Sequence, residues 1–291
     1  MLRVCLYIFA FACACVTLGQ QPQVSVNLDL WPMARADRDG KFRFHWYDDV
    51  GHHSVVSVTM LTEVGFRAFV SQRLELISGD ADNEYLNEFY IEDTGYWRVG
   101  KQQLPFGLES LERELVTAAR ADTRFALGGW PLKIAWCGGN VGLPTGYVAR
   151  VGRAFGLSIA SGRHFGVSGL AFQEVRRPED SPGRGRGYRE MYGADFTQRL
   201  GSLRFECEWV RTRRGHSEED VDNDFGLARL VYVLNGERSL ALTLVRDFDA
   251  GLDYYRLRHS LLVHERLETY QQVRWRKGSV NEASIGLRVR F

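Results

Sequence analysis

The chain has 291 residues, enough for one large domain, and its 37 Lys and Arg are balanced by 36 Asp and Glu. That balance argues against a nucleic-acid-binding protein, which carries a basic excess. Beyond the N-terminus no run of 18 apolar residues occurs, so a membrane-spanning form of this chain would have to cross with strands.

The first nineteen residues, MLRVCLYIFAFACACVTLG, place Arg3 before an apolar core from Val4 to Val16, followed by small residues. This pattern predicts a cleaved signal peptide over 1–19. Three of the five cysteines lie in it. The other two, Cys137 and Cys207, fall on different faces of their segments and are expected to stay unpaired. Residues 20–40 read as a periplasmic lead-in. Within them Val24 to Leu30 is strand-like but has no slot in the scheme below. Residues 41–291 read as one strand-rich domain.

Apolar residues then alternate with period two in segments of about ten. Phe42, Phe44 and Trp46 oppose Lys41, Arg43 and His45. Phe66, Ala68 and Val70 oppose Arg67, Ser71 and Arg73. Leu203, Phe205, Cys207 and Trp209 oppose Arg204, Glu206 and Glu208. Tyr255, Leu257, Leu261 and Val263 oppose Arg256 and Arg258, with His259 as the exception. Ile285, Leu287, Val289 and Phe291 oppose Ser284, Gly286, Arg288 and Arg290. Such strands have one apolar and one charged face, as in a soluble sandwich or a membrane barrel.

Loop lengths separate these two readings. Short turns such as Val64-Gly65, Asp93-Thr94-Gly95, Arg199-Leu200-Gly201 and Asn235-Gly236 alternate with longer polar stretches, notably 105–130 and 176–187. Asn-Gly between two apolar runs is a hairpin signal, because a tight turn there needs positive φ. The rhythm predicts an all-β, up-and-down antiparallel transmembrane β-barrel, with short periplasmic turns and longer external loops. A terminal strand ending on Phe291 then runs toward the periplasm, and the strand at 41–47 runs away from it as the first. Stretch 131–161 holds three strands or one, which gives sixteen in total or fourteen; sixteen is preferred. Phe291 also has the form of a signal for barrel-assembly machinery.

The passage 109–120 has helix-forming composition inside the longest interruption. Folded into the barrel it would narrow the pore, setting Arg113, Arg120 and Arg124 against Glu112 and Glu114. The charged parity of the strands supplies a lumen lining of Arg43, Arg67, Arg73, Arg98, Arg204, Glu206, Glu208, Arg256, Arg258, Arg274 and Arg288. Bases exceed acids there, so the expectation is a pore for small hydrophilic solutes, anionic or neutral, with a mild anion preference. No catalytic constellation, metal-ligand spacing or cofactor motif stands out; His259 and Ser260, as strand neighbours, point apart. The competing reading is a secreted or periplasmic β-sandwich binding or adhesion protein without a pore.

Residues 84–109 carry one further signal. Val99-Gly100-Lys101-Gln102-Gln103-Leu104-Pro105-Phe106-Gly107-Leu108-Glu109 follows a strand and a tight turn. It resembles the signature of the phosphate-selective porin O/P-like outer-membrane family. The resemblance implies a sixteen-stranded and often trimeric barrel, with an inward-folded constriction loop just after the motif. It does not settle the solute, since the chain has only four lysines.

Overall fold

The computed structural model describes residues 23–45, 54–74, 86–108, 115–123, 129–138, 144–165, 188–213, 222–276 and 279–291. The signal-peptide reading of 1–19 lies outside them. In chain order the strands are β1 (Gln23–Leu30), β2 (Met33–Asp37), β3 (Phe42–His45), β4 (Val55–Leu61), β5 (Phe66–Arg73), β6 (Leu86–Asp93), β7 (Trp97–Gln103), β8 (Leu115–Thr123) and β9 (Leu132–Cys137). They continue as β10 (Thr145–Gly152), β11 (Phe155–Phe165), β12 (Tyr188–Leu200), β13 (Leu203–Arg213), β14 (Asp222–Val233), β15 (Arg238–Asp247), β16 (Leu252–His264), β17 (Leu267–Arg276) and β18 (Ser279–Arg290).

From β4 to β18 each strand pairs antiparallel with the next, and β18 pairs back onto β1 and β2, so the sheet closes. β1 and β2 are two halves of one span. Pro32 has no N–H to give the ladder, and the strand breaks at Trp31-Pro32. β3 and β4 are likewise halves of the next span: Met33–Ala36 faces His45–Phe42, and Gln23–Asp29 faces Leu61–Val55. The eighteen strands therefore make a sixteen-span antiparallel barrel.

Three expectations are corrected here. Residues 23–37 are not a lead-in outside the barrel but its first span. The segment at 42–45 runs opposite to the expected direction, because a tight turn at Asp37–Lys41 folds it back on β2. The stretch 105–130 is not one long loop either, since 115–123 is strand β8, paired on both sides by β7 and β9. Ala118 and Ala119 read as helix formers, yet two flanking ladders override that weak preference.

The two faces differ sharply. Trp136, Tyr147, Phe205, Leu242 and Ile285 point outward and stand exposed, as does the outward parity of most spans. The inward parity is buried and divides in two. On one part of the wall it is ionic, with Glu92, Asp195, Glu208, Arg256, Arg274 and Glu282 each at most 5% exposed. Toward one end, from β8 round to β16, it is apolar: Ala135, Val148, Phe165, Met191, Val210, Phe225 and Val245 are fully buried in one cluster. Cys137 belongs to that inward cluster, Cys207 points outward, and both are free thiols.

A second cluster lies inside the closing seam. Trp31 and Met33 pack with Tyr270, the Trp31 and Tyr270 rings 5.9 Å apart. The Arg288 and Arg258 guanidiniums lie over these rings, 4.4 Å from Trp31 and 4.2 Å from Tyr270. Tyr270 occupies the space a side chain at Gly286 would need. Gly286→Val is therefore expected to push Tyr270 off the seam and destabilise the barrel by about 1–3 kcal/mol, the usual scale for overpacking. A lower midpoint for loss of the compact gel form on heating would report it; an unchanged midpoint would show the ring relocates freely.

Candidate functional site

The interior is shaped first by the segment leaving β7. Gly100 in the preceding motif has φ of +133°, and a Cβ there would collide with the backbone of Phe89 on β6. The next residues, Leu104 to Leu108, turn into the barrel. Leu104 and Phe106 are buried within the inward apolar cluster. The Gly107 N–H donates to Ser158 Oγ at 3.0 Å, and a Cβ on Gly193 would stand 2.9 Å from the Phe106 ring. Ser158 and Gly193 lie on the inner faces of β11 and β12, separated from β7 by three and four intervening strands respectively. The segment thus reaches across the interior and is held there by a ring on a glycine and one hydrogen bond. Glu109, Glu112, Arg113, Glu114 and Arg124 lie outside the described residues.

Below this crossing, ionic side chains form a belt that follows the strand register. Arg67, Glu92, Arg98 and Arg120 are successive cross-strand partners on β5 to β8. Asp122, Lys133 and Arg150 continue on β8 to β10. Farther round, Glu206, Arg229, Thr243, Arg256, Arg274, Glu282 and Asp37 make one unbroken row. A charge whose direct neighbours are also charged is satisfied without leaving the wall.

The pairing is specific. Glu92 takes Arg67 at 2.5 Å and Arg98 at 2.6 Å, and the Arg98 guanidinium lies 3.8 Å from the Tyr90 ring centroid. Glu206 takes Arg204 and Arg229, each at 3.1 Å. Glu282 takes Arg35 and Arg274. Asp29 holds Arg288 through two nitrogens, at 3.0 and 2.6 Å. Arg150 reaches Asp195 two strands away, at 2.9 and 2.5 Å. It passes over Gly156, where a Cβ would fall 2.5 Å from both groups.

The residues expected to line a lumen are therefore placed as follows. Arg67, Arg98, Arg204, Glu206, Arg274 and Arg288 are in the ion pairs just given. Arg120 is not on a constriction loop but on β8, paired with Asp122 at 2.9 Å. Glu208 and Arg256 are buried on the inner wall, and Arg258 lies over Tyr270. Arg43 stands opposite Arg35 on β2, and Arg73 ends β5 opposite Val55. Val99 and Gly100 are in β7, while Pro105, Phe106 and Gly107 begin the crossing. Phe291 closes the seam: its N–H donates to the Leu28 carbonyl at 2.9 Å, and its own carbonyl accepts from Leu28 N–H at 3.1 Å.

Sequence reading missed Asp29, Arg35, Arg150, Asp195, Arg229 and Glu282. Arg229 follows Phe225 and Leu227 on the same inward face, so the face contrast that marks a barrel strand disappears there. Asp29 and Arg35 lay in the segment read as a lead-in. Arg150 and Asp195 lie two strands apart, and their pairing across Gly156 leaves no local trace.

No protein-family model matches the sequence, and no curated protein matches it. Solved structures do match its fold. A loop L8 deletion mutant of OmpT, an outer membrane protein of Vibrio cholerae, has a TM-score of 0.62 at 10% identity, covering 93% of this chain and 99% of that one. The outer membrane channel DcaP of Acinetobacter baumannii has 0.61 at 9%, over 93% and 97%. An anion-selective porin from Comamonas acidovorans has 0.58 at 11%, over 93% and 100%. The chain thus has the closed antiparallel barrel fold of outer-membrane porins.

Gly193→Val should displace the Phe106 ring and free the segment after β7. A thiol reagent is then expected to label Leu104→Cys much faster in the Gly193→Val background than without it, while the heat-modifiable barrel persists. Equal labelling rates would mean that Phe106 does not anchor the crossing.

Proposed function

We propose that the protein is an outer-membrane porin through which small hydrophilic solutes diffuse passively, with a mild preference for anions. The observation that carries this is the direction of the two faces in a closed barrel. Large apolar side chains point outward and are exposed on most spans, while carboxylates and guanidiniums point inward. A soluble sandwich buries its apolar face between two sheets; this barrel turns that face out, where hydrocarbon is the solvent that suits it. The sandwich alternative is correspondingly disfavoured. No enzyme chemistry is needed, and neither a catalytic nor a metal role is proposed.

The solute path is charged and narrowed on one side. The apolar cluster beneath Leu104 and Phe106 fills the wall from β8 to β16 toward one end, so that a hydrated path would run along the belt of ion pairs. The sign of the belt supports the anion preference. Glu92, Glu206 and Glu282 each face two arginines, and one carboxylate neutralises only one. The resemblance of 84–109 to phosphate-selective porins makes inorganic phosphate the first solute to test. A signal peptide over 1–19, assembly through the strand ending on Phe291, and a homotrimer fit the same reading.

Reversal potentials of single channels in a salt gradient test the selectivity, and a cation-selective pore would overturn it. Glu92→Gln removes one negative charge from between two guanidiniums. For a passing ion this is worth about 1 kcal/mol at contact in water, so the anion-to-cation permeability ratio is expected to rise several-fold. The location has its own check: a protein released in soluble form by osmotic shock, with no heat-modifiable mobility, would sink the porin reading.

A further inference from the structure

We propose that Lys133 sets the ion preference of the pore: its ammonium is the charge a passing anion meets beside the segment that crosses the barrel after β7. The inference rests on the porin reading above and assigns the selectivity to one residue. On β9, Ile134 and Trp136 point outward and are exposed, whereas Ala135 and Cys137 are fully buried on the inner wall. Lys133 has the inward parity and is exposed, so its ammonium stands in the lumen. Ala135, the next inward residue, is buried in one cluster with Leu104 and Phe106. The edge of the crossing therefore falls between Ala135 and Lys133.

The strand register leads to the same place. Lys133 pairs directly with Arg150 of β10, Arg150 with Ser158 of β11, and Ser158 with Gly193 of β12. Ser158 and Gly193 are the two positions that hold the crossing, through the Gly107 N–H and the Phe106 ring. Two strand spacings separate Lys133 from Ser158, roughly 10 Å along the wall. β9 is also the middle strand between β7, where the segment departs, and β11, where it is first anchored. A solute passing the crossing on this side comes within reach of the ammonium.

The surrounding charges leave it uncompensated. Asp122 holds Arg120 and Asp195 holds Arg150, so both nearby carboxylates are engaged. Among the described residues Lys133 makes no hydrogen bond or ion pair. Asp122 stands directly opposite Lys133, yet one carboxylate neutralises Arg120 or Lys133 and not both. One positive charge is left over beside the crossing, and it sits on the side chain best suited to exchange. A guanidinium holds its partner through a fork of fixed donors, whereas an ammonium is a compact, hydrated charge on a flexible stem. It can meet an anion and let it go, as conduction requires.

Single-channel reversal potentials in a chloride salt gradient test this, with Lys133→Gln set beside Lys101→Gln. Lys101 has the outward parity on β7, next to inward Gln102, so the control removes the same charge from the other face. Lys133→Gln is expected to lower the anion-to-cation permeability ratio about five-fold, the scale of one unit charge at contact in water. Lys101→Gln is expected to leave the ratio unchanged. A second arm alters the charge after the barrel has inserted, so folding does not enter. Lys133→Cys is made in a Cys207→Ser background, where the only other thiol among the described residues is the buried Cys137. A cationic methanethiosulfonate is expected to restore the parent ratio, and an anionic one to push it below that of Lys133→Gln. A Lys133→Gln ratio equal to the parent's, an equal loss in Lys101→Gln, equal ratios after the two reagents, or a thiol that neither reagent reaches would overturn the assignment. An unmodified chain that forms no channel, or a channel without anion preference, refutes the porin reading and this inference together. An anion-selective parent indifferent to residue 133 refutes only the role of Lys133.

Discussion

Everything in this molecule depends on the sheet having no edge. A strand edge in hydrocarbon leaves N–H and C=O groups without partners, each a large loss. The chain avoids this by returning its last span to its first. The seam is reinforced beyond its ladder. Leu28 and Phe291 exchange hydrogen bonds, the Leu287 N–H donates to the Pro32 carbonyl at 2.9 Å, and Arg288 grips Asp29 through two nitrogens. The break at Trp31-Pro32, where the ladder is weakest, is where Trp31 and Tyr270 pack under two guanidiniums. Closure and interior packing are therefore one problem, solved on the same residues.

Closure also dictates the interior. Side chains on one parity have nowhere to go but inward, and charged ones there must find partners across neighbouring strands. The register supplies them: rows of cross-strand neighbours become chains of ion pairs. Buried pairs of this kind add little net stability, yet losing one partner is expensive because it strands a charge. The belt is better understood as a fixed pattern of charge than as a source of stability. Several of its carboxylates each stand between two guanidiniums.

Much of this was legible in the sequence, and the limits have identifiable causes. β13 and β18 declared themselves by strict alternation, and Asn235-Gly236 marked its turn, where Gly236 takes φ of +78° and Leu234 N–H bonds the Arg238 carbonyl. The first span was obscured because a proline splits it and because its partner strand is itself in two pieces. β8 was hidden by alanine, a residue that fits helix and strand walls alike. The inward residues of β14 and β15 were hard to read for a different reason. Where the inner wall is apolar, as at Phe225 and Val245, both faces look the same, and period two carries no information. The sequence motif around Gly100 and Phe106 pointed correctly to an inward segment, but its anchors, Ser158 and Gly193, lie too far along the chain to be inferred from spacing.

Three glycines on the inner wall share a property. Gly193 makes room for Phe106, Gly156 for the Arg150–Asp195 pair, and Gly286 for Tyr270. In each case the absence of a side chain on one strand permits an interaction between two others. Part of the interior's shape is thus written in vacancies. Such vacancies bind distant positions into shared evolutionary fates: a glycine can gain a side chain only if its remote occupant shrinks or leaves. Across diverging descendants of this chain, these positions would change in concert or not at all, while the outward aliphatic residues beside them drift independently.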